Sequence, residues 1–364
     1  MNIHFAHNSI FIEKFIHNQE RFIPESNNFY YIKEDSNLNY NVSTAVVSRR
    51  NVCLYFSIKT LIKNLKVNQE DRLYFHFFSI ENQKLCLKFS KNISYWLFWG
   101  GEVYGLPYIK NDIFLPITLN FKKIGEKQTF KNVINQSLGL LIRCKLNVGL
   151  PKAVKHINYF CHFVHEEFDR LKEILPLYKA VYLDWNYLVF ESELGPSNGS
   201  KNLTLLGQSA TLSNNHLDVL SMYRNELENE QVIIPLSYPI NEKYVEEIEN
   251  FMIEKKLNHQ ILKEKIPFSD YNKILNNVKF AIFGFKRNQG TGNIIQLLIS
   301  GALVFLHHDN PFYNYLKSIG VDVYQLNEFK NRLTLEVDID KNKMTMNKIF
   351  GPEALKIKYN RLLN

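Results

Sequence analysis

The sequence predicts an α/β fold in two parallel-sheet domains, and three observations carry that expectation. Short apolar runs alternate with helix-period segments through most of the 364 residues, as happens when helices cover both faces of parallel strands. The stretch ESELGPSNGSKN at 191–202 is too rich in Gly, Ser, Pro and Asn to build a core element, and it reads as a linker. The chain on each side of it is long enough to bury its own core. The expected division is a first domain over 1–195, a second over 196–344, and a terminal helix over 345–364 able to pack back on the first.

In the first half, strands are expected at 2–6 (NIHFA), 45–47 (AVV), 72–76 (RLYFH), 95–99 (YWLFW) and 180–183 (AVYL), each a short β-branched or aromatic run. Helical spacing predicts helices over 52–67 and 152–175. The second half is more regular. Strands at 203–207, 231–236, 260–262, 280–285 and 303–307 alternate with helices over 214–225, 241–255 and 269–276 and one starting at Gly292. Two such domains would face each other across a cleft lined by the carboxyl ends of their strands, where open sheets bind ligands.

Composition narrows the class. With 45% hydrophobic and 14% aromatic residues the chain is no disordered protein. Its net charge of +8 calls for an anionic partner. Cys53, Cys86, Cys144 and Cys161 show neither C-x-x-C nor metal-ligand spacing, which implies free thiols in a reducing compartment and no structural zinc. The N-terminus lacks the features of a signal peptide, and no apolar run reaches the length that spans a bilayer. The expectation is a soluble or peripheral protein.

The most informative segment runs from 279 to 300: KFAIFGF, then KRNQGTGN, then IIQLLIS. A strand passing through a glycine turn into a helix leaves the first helical N–H groups facing outward, ready for phosphate, and Arg287 stands near enough in sequence to add a charge-assisted contact. A purely structural turn is the alternative. Gly207-Gln208-Ser209-Ala210-Thr211 suits a phosphate or ribose in the same way, unless Ser213 simply caps the next helix. Pro235 to Pro239, with Tyr238, and His307 to Phe312, with Asn310, add two further polar loops after strands.

In the first half His76 and Glu102 follow neighbouring strands, where either could deprotonate a sugar hydroxyl. The alternatives are a core histidine among aromatics and a solvated loop acid. Segment 106–155 is rich in lysine, including Lys122, Lys123, Lys127 and Lys131, interleaved with apolar residues. That suits docking on an anionic leaflet, with a solvated basic face as the alternative; no recognition motif accompanies it, and no nucleic-acid partner is expected. Asp338-Ile339-Asp340 spells a metal-binding Asp-x-Asp, but its charged surroundings read as surface, and no metal is expected.

Taken in order, these pieces resemble the bacterial TDP-N-acetylfucosamine:lipid II N-acetylfucosaminyltransferase family. The likeness covers about 73–326. It rests on Phe75-His76, Trp99-Gly100-Gly101-Glu102 with Tyr104, Leu206-Gly207-Gln208-Ser209 leading to Asn215-His216, and Pro235 to Pro239. It continues through Lys265-Ile266-Pro267-Phe268 with Tyr271, Gln289-Gly290-Thr291-Gly292 and Asn310-Pro311-Phe312. The resemblance implies a GT-B architecture of two Rossmann-like domains, with the sugar nucleotide held mainly by the second and no metal or other cofactor. Gln289, Gly290, Thr291, Gly292 and Asn293 would hold the diphosphate, Gly207 to Thr211 would line the nucleotide, and Ile266 would offer its backbone to the base. Two departures stand out: the family's Asp after Gly-Ala is Glu102 after Gly101, and its Gly-Asn-Ser is Gly207-Gln208-Ser209.

The functional expectation is a cytoplasmic glycosyltransferase, peripheral on the inner membrane. It would move a deoxy-amino sugar such as 4-acetamido-4,6-dideoxygalactose from a dTDP-sugar to a polyprenyl-diphosphate-linked saccharide. Two alternatives are an epimerase-like nucleotide-sugar enzyme and a non-catalytic nucleotide-sugar or glycan-binding protein.

Overall fold

The computed structural model describes residues 1–34, 44–104, 112–127, 149–175, 179–187, 201–238 and 241–364. It divides into two compact units, one of Met1–Pro107, Ile134–Val189 and Pro352–Asn364, the other of Tyr108–Val133 and Phe190–Gly351.

In the first unit β1 (Asn2–His7), β2 (Asn28–Lys33), β3 (Val52–Tyr55), β4 (Arg72–His76), β5 (Ser94–Leu97), β6 (Tyr159–Cys161) and β7 (Val181–Leu183) form one parallel sheet. The order is β3-β2-β1-β4-β5-β6-β7, so the winding reverses between β1 and β4. Ile12, Phe15 and Ile16 of the helix Ile10–Phe22 join Tyr30, Tyr74 and Tyr95 in the core.

Several local expectations fail here because tertiary pairing overrides helical spacing. Residues 44–47 form a helical turn and not a strand. The expected helix over 52–67 begins with β3, which pairs in register with β2 (Tyr30 opposite Val52), and only Ile58–Asn64 is helical. Within 152–175 the strand Tyr159–Cys161 separates short helical turns at 149–156 from the helix His165–Ile174; Phe160 and Cys161 are fully buried between β5 and β7.

The second unit follows the expected plan, with strand ends displaced by a residue or two. β8 (Leu203–Leu206), β9 (Gln231–Pro235), β10 (His259–Leu262), β11 (Val278–Phe283), β12 (Leu303–Leu306) and β13 (Tyr324–Gln325) form a parallel sheet in the order β10-β9-β8-β11-β12-β13. Its winding reverses between β8 and β11. Most of the expected linker, 191–200, lies outside the described residues.

Two segments cross the simple division at 195. The helix Pro116–Lys127 packs on the second unit: Asp218 accepts from the N–H groups of Ile117 (2.7 Å) and Thr118 (2.9 Å), and Phe121 lies 5.4 Å from the Tyr244 ring. A carboxylate at that end satisfies orphan donors and suits the helix dipole. The expected terminal helix is two helices, Ile339–Phe350 and Pro352–Leu363, broken at Gly351 before a proline that lacks an N–H. The second belongs to the first unit, where Tyr74 donates to Leu362 O (2.8 Å) and Asn2 to Leu363 O (3.1 Å).

Candidate functional site

In each sheet the ligand position of an open parallel fold is the strand-end crevice where the winding reverses. In the second unit that crevice lies between the loops after β8 and β11. Gly207 leaves β8 with φ +68°, and a Cβ there would sit 2.2 Å from His216 Nε2, so only glycine fits. The fully buried Asn214 organises the loop. Its Oδ1 accepts from Gln208 N (3.1 Å), and its Nδ2 donates to Thr211 Oγ1 (2.7 Å) and Ser209 Oγ (3.1 Å).

The second loop delivers the helix Thr291–Ser300 from Gly290, whose φ is +66° and which carries no capping side chain. Leading N–H groups at Thr291, Gly292 and Asn293 therefore face a site with no side chain built to satisfy them. The loops interlock. Ser213 Oγ donates to Gln289 Oε1 (3.0 Å), and a Cβ on Gly290 would meet Gln208 at 3.1 Å. Ser213 thus ties loop to loop rather than capping the following helix, whose N-cap is Asn215 with no side-chain cap. Gln289 Nε2 is buried without a hydrogen-bond partner, and so is Nδ2 of the fully buried Asn310, whose Oδ1 accepts from Phe312 N (2.9 Å).

The remaining expected donor residues continue the same edge. Tyr238 is 58% exposed after β9; its carbonyl accepts from Ala210 N (3.0 Å), and Lys265 Nζ stands 5.8 Å from its ring. Ile266 follows β10 and is partly exposed. Arg287 is half-buried in the loop after β11, and Asn293 donates to Tyr271 OH (3.1 Å). A Cβ on Gly292 would meet open space. His307, His308 and Asp309 bring three potential metal ligands together, but Lys286 Nζ already stands 3.0 Å from Asp309. Asp338 of the Asp-x-Asp caps a helix, accepting from Lys341 N (3.0 Å).

In the first unit the Glu102 carboxylate is buried at the end of β5. Its Oε1 accepts from Trp96 Nε1 (3.0 Å), Trp99 N (3.1 Å) and Phe78 N (3.5 Å), while Oε2 has no partner. Burial pushes its pKa up against the pull of those donors. His76 sits elsewhere, wholly inside the core. Asn28 Nδ2 donates to Ser26 O (3.2 Å), so its Oδ1 accepts from His4 Nε2 (3.2 Å). His4 Nδ1 then accepts from His76 Nε2 (3.0 Å), and His76 Nδ1 accepts from the Tyr187 hydroxyl (2.7 Å). Both rings are neutral: burial lowers the His4 pKa to about 3 and that of His76 well below its ordinary value.

Of the expected membrane-facing lysines, Lys123 is exposed, Lys122 lies 4.8 Å from the Phe114 ring, and Lys127 ends the helix. Lys131 lies outside the described residues. Ile117 and Ile124 are exposed on the same helix, and no described helix is long and apolar enough to cross a membrane.

Residues 176–353 match the family described as 4-alpha-L-fucosyltransferase, glycosyl transferase group 56, in line with the resemblance in the motifs. The chain is a glycosyltransferase. Its fold is GT-B, shared with solved structures of low identity. A lipopolysaccharide outer core galactosyltransferase, WaaB, aligns over 99% of this chain and 98% of its own at TM-score 0.62 and 10% identity. A UDP-forming trehalose-phosphate synthase from Burkholderia xenovorans aligns over 99% of both chains at 0.61 and 8%. A glycosyltransferase from Rickettsia africae aligns over 100% and 97% at 0.60 and 12%. A nucleotide-sugar donor and a saccharide acceptor follow from the family, and the epimerase and binding-protein alternatives fall away.

Sequence reading missed Asn214, because its role depends on loop partners brought together only by the fold. It named Asn215 only as part of a motif and missed Asp218, and the two hold segment 113–118 from about a hundred residues away.

Proposed function

We propose that this glycosyltransferase moves a deoxy-amino sugar from a dTDP-sugar to a polyprenyl-diphosphate-linked saccharide at an anionic membrane surface, without a metal. The observation that supports it most is the uncapped start of the helix Thr291–Ser300 beside the Gly207 loop, at the reversal of strand order. Donated N–H groups there would stabilise negative charge growing on the departing nucleoside diphosphate. The unpartnered Gln289 amide, in the half-buried loop before the helix, would meet a phosphate oxygen, with the buried Asn310 amide behind that edge, while Tyr238 and Ile266 would flank the base. Glu102, with one oxygen held by three donors and the other buried and unpartnered, would take the acceptor proton; a raised pKa brings a carboxylate closer to neutral pH, where a base works best.

The test is donor binding by Gly292→Val. Its Cβ meets nothing within 4 Å, so the fold should stand while the branched side chain fills the diphosphate position. The expected result is a wild-type melting temperature with loss of the thermal shift given by dTDP. Unchanged dTDP affinity would reject the diphosphate site. Comparing dTDP with UDP and GDP on wild type tests the base.

A further inference from the structure

The strand-order reversal of the first unit carries three aromatic rings on three different strand ends. Phe11 lies in the first turn after β1, Phe77 follows β4, and Trp99 follows β5. The rings touch: Phe11 and Trp99 are 4.8 Å apart at 60°, Phe77 and Trp99 5.9 Å apart at 61°. They are no part of the sealed core, since Phe11 is 42% exposed and Phe77 and Trp99 are partly accessible.

Phe77 carries an independent mark. Its φ of +67° lies in the left-handed region, which a bulky side chain avoids and which Gly or Asn would adopt easily. Strain of this kind gathers at ligand sites. The ring also needs its neighbour to be small, because a Cβ on Gly101 would stand 3.3 Å from it. Trp99 and Glu102 share one turn, and Trp99 N donates to the carboxylate (3.1 Å). One loop thus fixes an aromatic surface and, beneath it, a buried acid with an unpartnered oxygen.

We infer that Phe11, Phe77 and Trp99 form a platform for one pyranose ring of the acceptor, set beside Glu102; the inference rests on the glycosyl-transfer reading. A pyranose has a face of C–H groups and a rim of hydroxyls. The first packs on aromatic rings, and the buried acid beneath them disfavours a phosphate, so this surface fits the C–H face of a neutral sugar. The phosphate-binding features sit in the other unit, which leaves this one for the neutral saccharide.

The experiment uses the full chain, wild type with Phe11→Ala and Phe77→Gly, and octyl β-glucoside, β-galactoside and β-mannoside as acceptor probes. Readouts are acceptor KM, donor KM, melting temperature, dTDP thermal shift and tryptophan fluorescence. Each variant should raise acceptor KM about tenfold and leave donor KM within about twofold. Phe77→Gly should melt no lower than wild type, because it removes the strained φ. Unchanged acceptor KM in both variants overturns the platform, as does a Phe77→Gly effect that appears only with a lowered melting temperature. So does a wild type that neither glycosylates any of the three probes nor changes fluorescence with them while dTDP still binds. Loss of dTDP binding in wild type would instead reject the donor reading.

Discussion

The two units repeat one strand order and line it with contrasting side chains. β3-β2-β1-β4 in the first matches β10-β9-β8-β11 in the second, and each sheet reverses its winding at the same place. There the second unit presents Gly207, Gln208, Gln289 and Gly290, with backbone N–H groups brought close by glycine. The first presents Phe11, Phe77, Trp99 and a buried carboxylate. Topology decides where a ligand lies; the residues on the loops decide whether that ligand is an anion or a sugar face.

The contrast extends beneath the loops and gives the largest expected effect. Among the described residues, burial lowers His4 to about 3, His162 to about 4 and His76 well below its ordinary value in the first unit, against His216, at about 3, in the second. These rings stay neutral when folded and take protons when unfolded. The unfolded chain therefore binds more protons below about pH 6.5, and stability, complete above that pH, falls as pH drops toward the folded values. At pH 5 His4, His162 and His216 each cost about 2 kcal/mol, so the first unit carries about twice the penalty of the second, and His76 adds to the first in the same direction. Glu102, raised by burial, works the other way: its contribution is present below about pH 4.3 and lost as pH rises through its folded value. All three tryptophans, Trp96, Trp99 and Trp185, lie in the first unit, so fluorescence reports on it alone. In urea at pH 5 the fluorescence midpoint should fall further from its pH 7 value than the far-UV circular dichroism midpoint; coincident shifts would erase the contrast.

The same asymmetry decided what was legible in the sequence. In the second unit each strand is bounded by its own turn, and Gln289 to Gly292 announces itself locally. In the first, Leu54, Ile58, Leu61 and Leu65 fall at helical spacing, yet 52–55 pairs with β2. Tyr159 to Cys161 is too short to read as a strand without β5 and β7 beside it. The site divides likewise. Glycine loops are visible in one dimension, while the positive φ of Phe77 and the three donors on Glu102 exist only after distant strand ends meet.

A second effect tests the proposed docking of one unit on an anionic membrane. The helix Pro116–Lys127 is fixed to the second unit by Asp218, and it exposes Ile117, Lys123 and Ile124. Each basic residue near an anionic leaflet contributes about 1 kcal/mol. Changing Lys122, Lys123, Lys127 and Lys131 together to glutamate should cost at least about 4 kcal/mol of vesicle binding and leave transfer to a short water-soluble acceptor near wild type. Sedimentation with vesicles containing phosphatidylglycerol measures it. Wild type that stays in the supernatant at low salt would leave the basic segment as a solvated face.

The smallest expected effect is the one most confined to a single unit. Glu102→Gln preserves size and keeps an oxygen for Trp96 Nε1 and Trp99 N, but the amide cannot take a proton at the position of the unpartnered carboxylate oxygen. If chemistry and donor binding are divided between the units, kcat should fall about 100-fold, close to 2.7 kcal/mol, with donor KM unchanged. The pH profile adds a check that a positioning role would not meet: the acidic limb of wild-type kcat should lie above the ordinary carboxylate range and vanish in the variant. A fall in kcat that keeps the acidic limb would make Glu102 the residue that orients Trp99 and move the base to another group. Near-normal turnover would remove it from the chemistry, leaving the aromatic platform as the first unit's contribution.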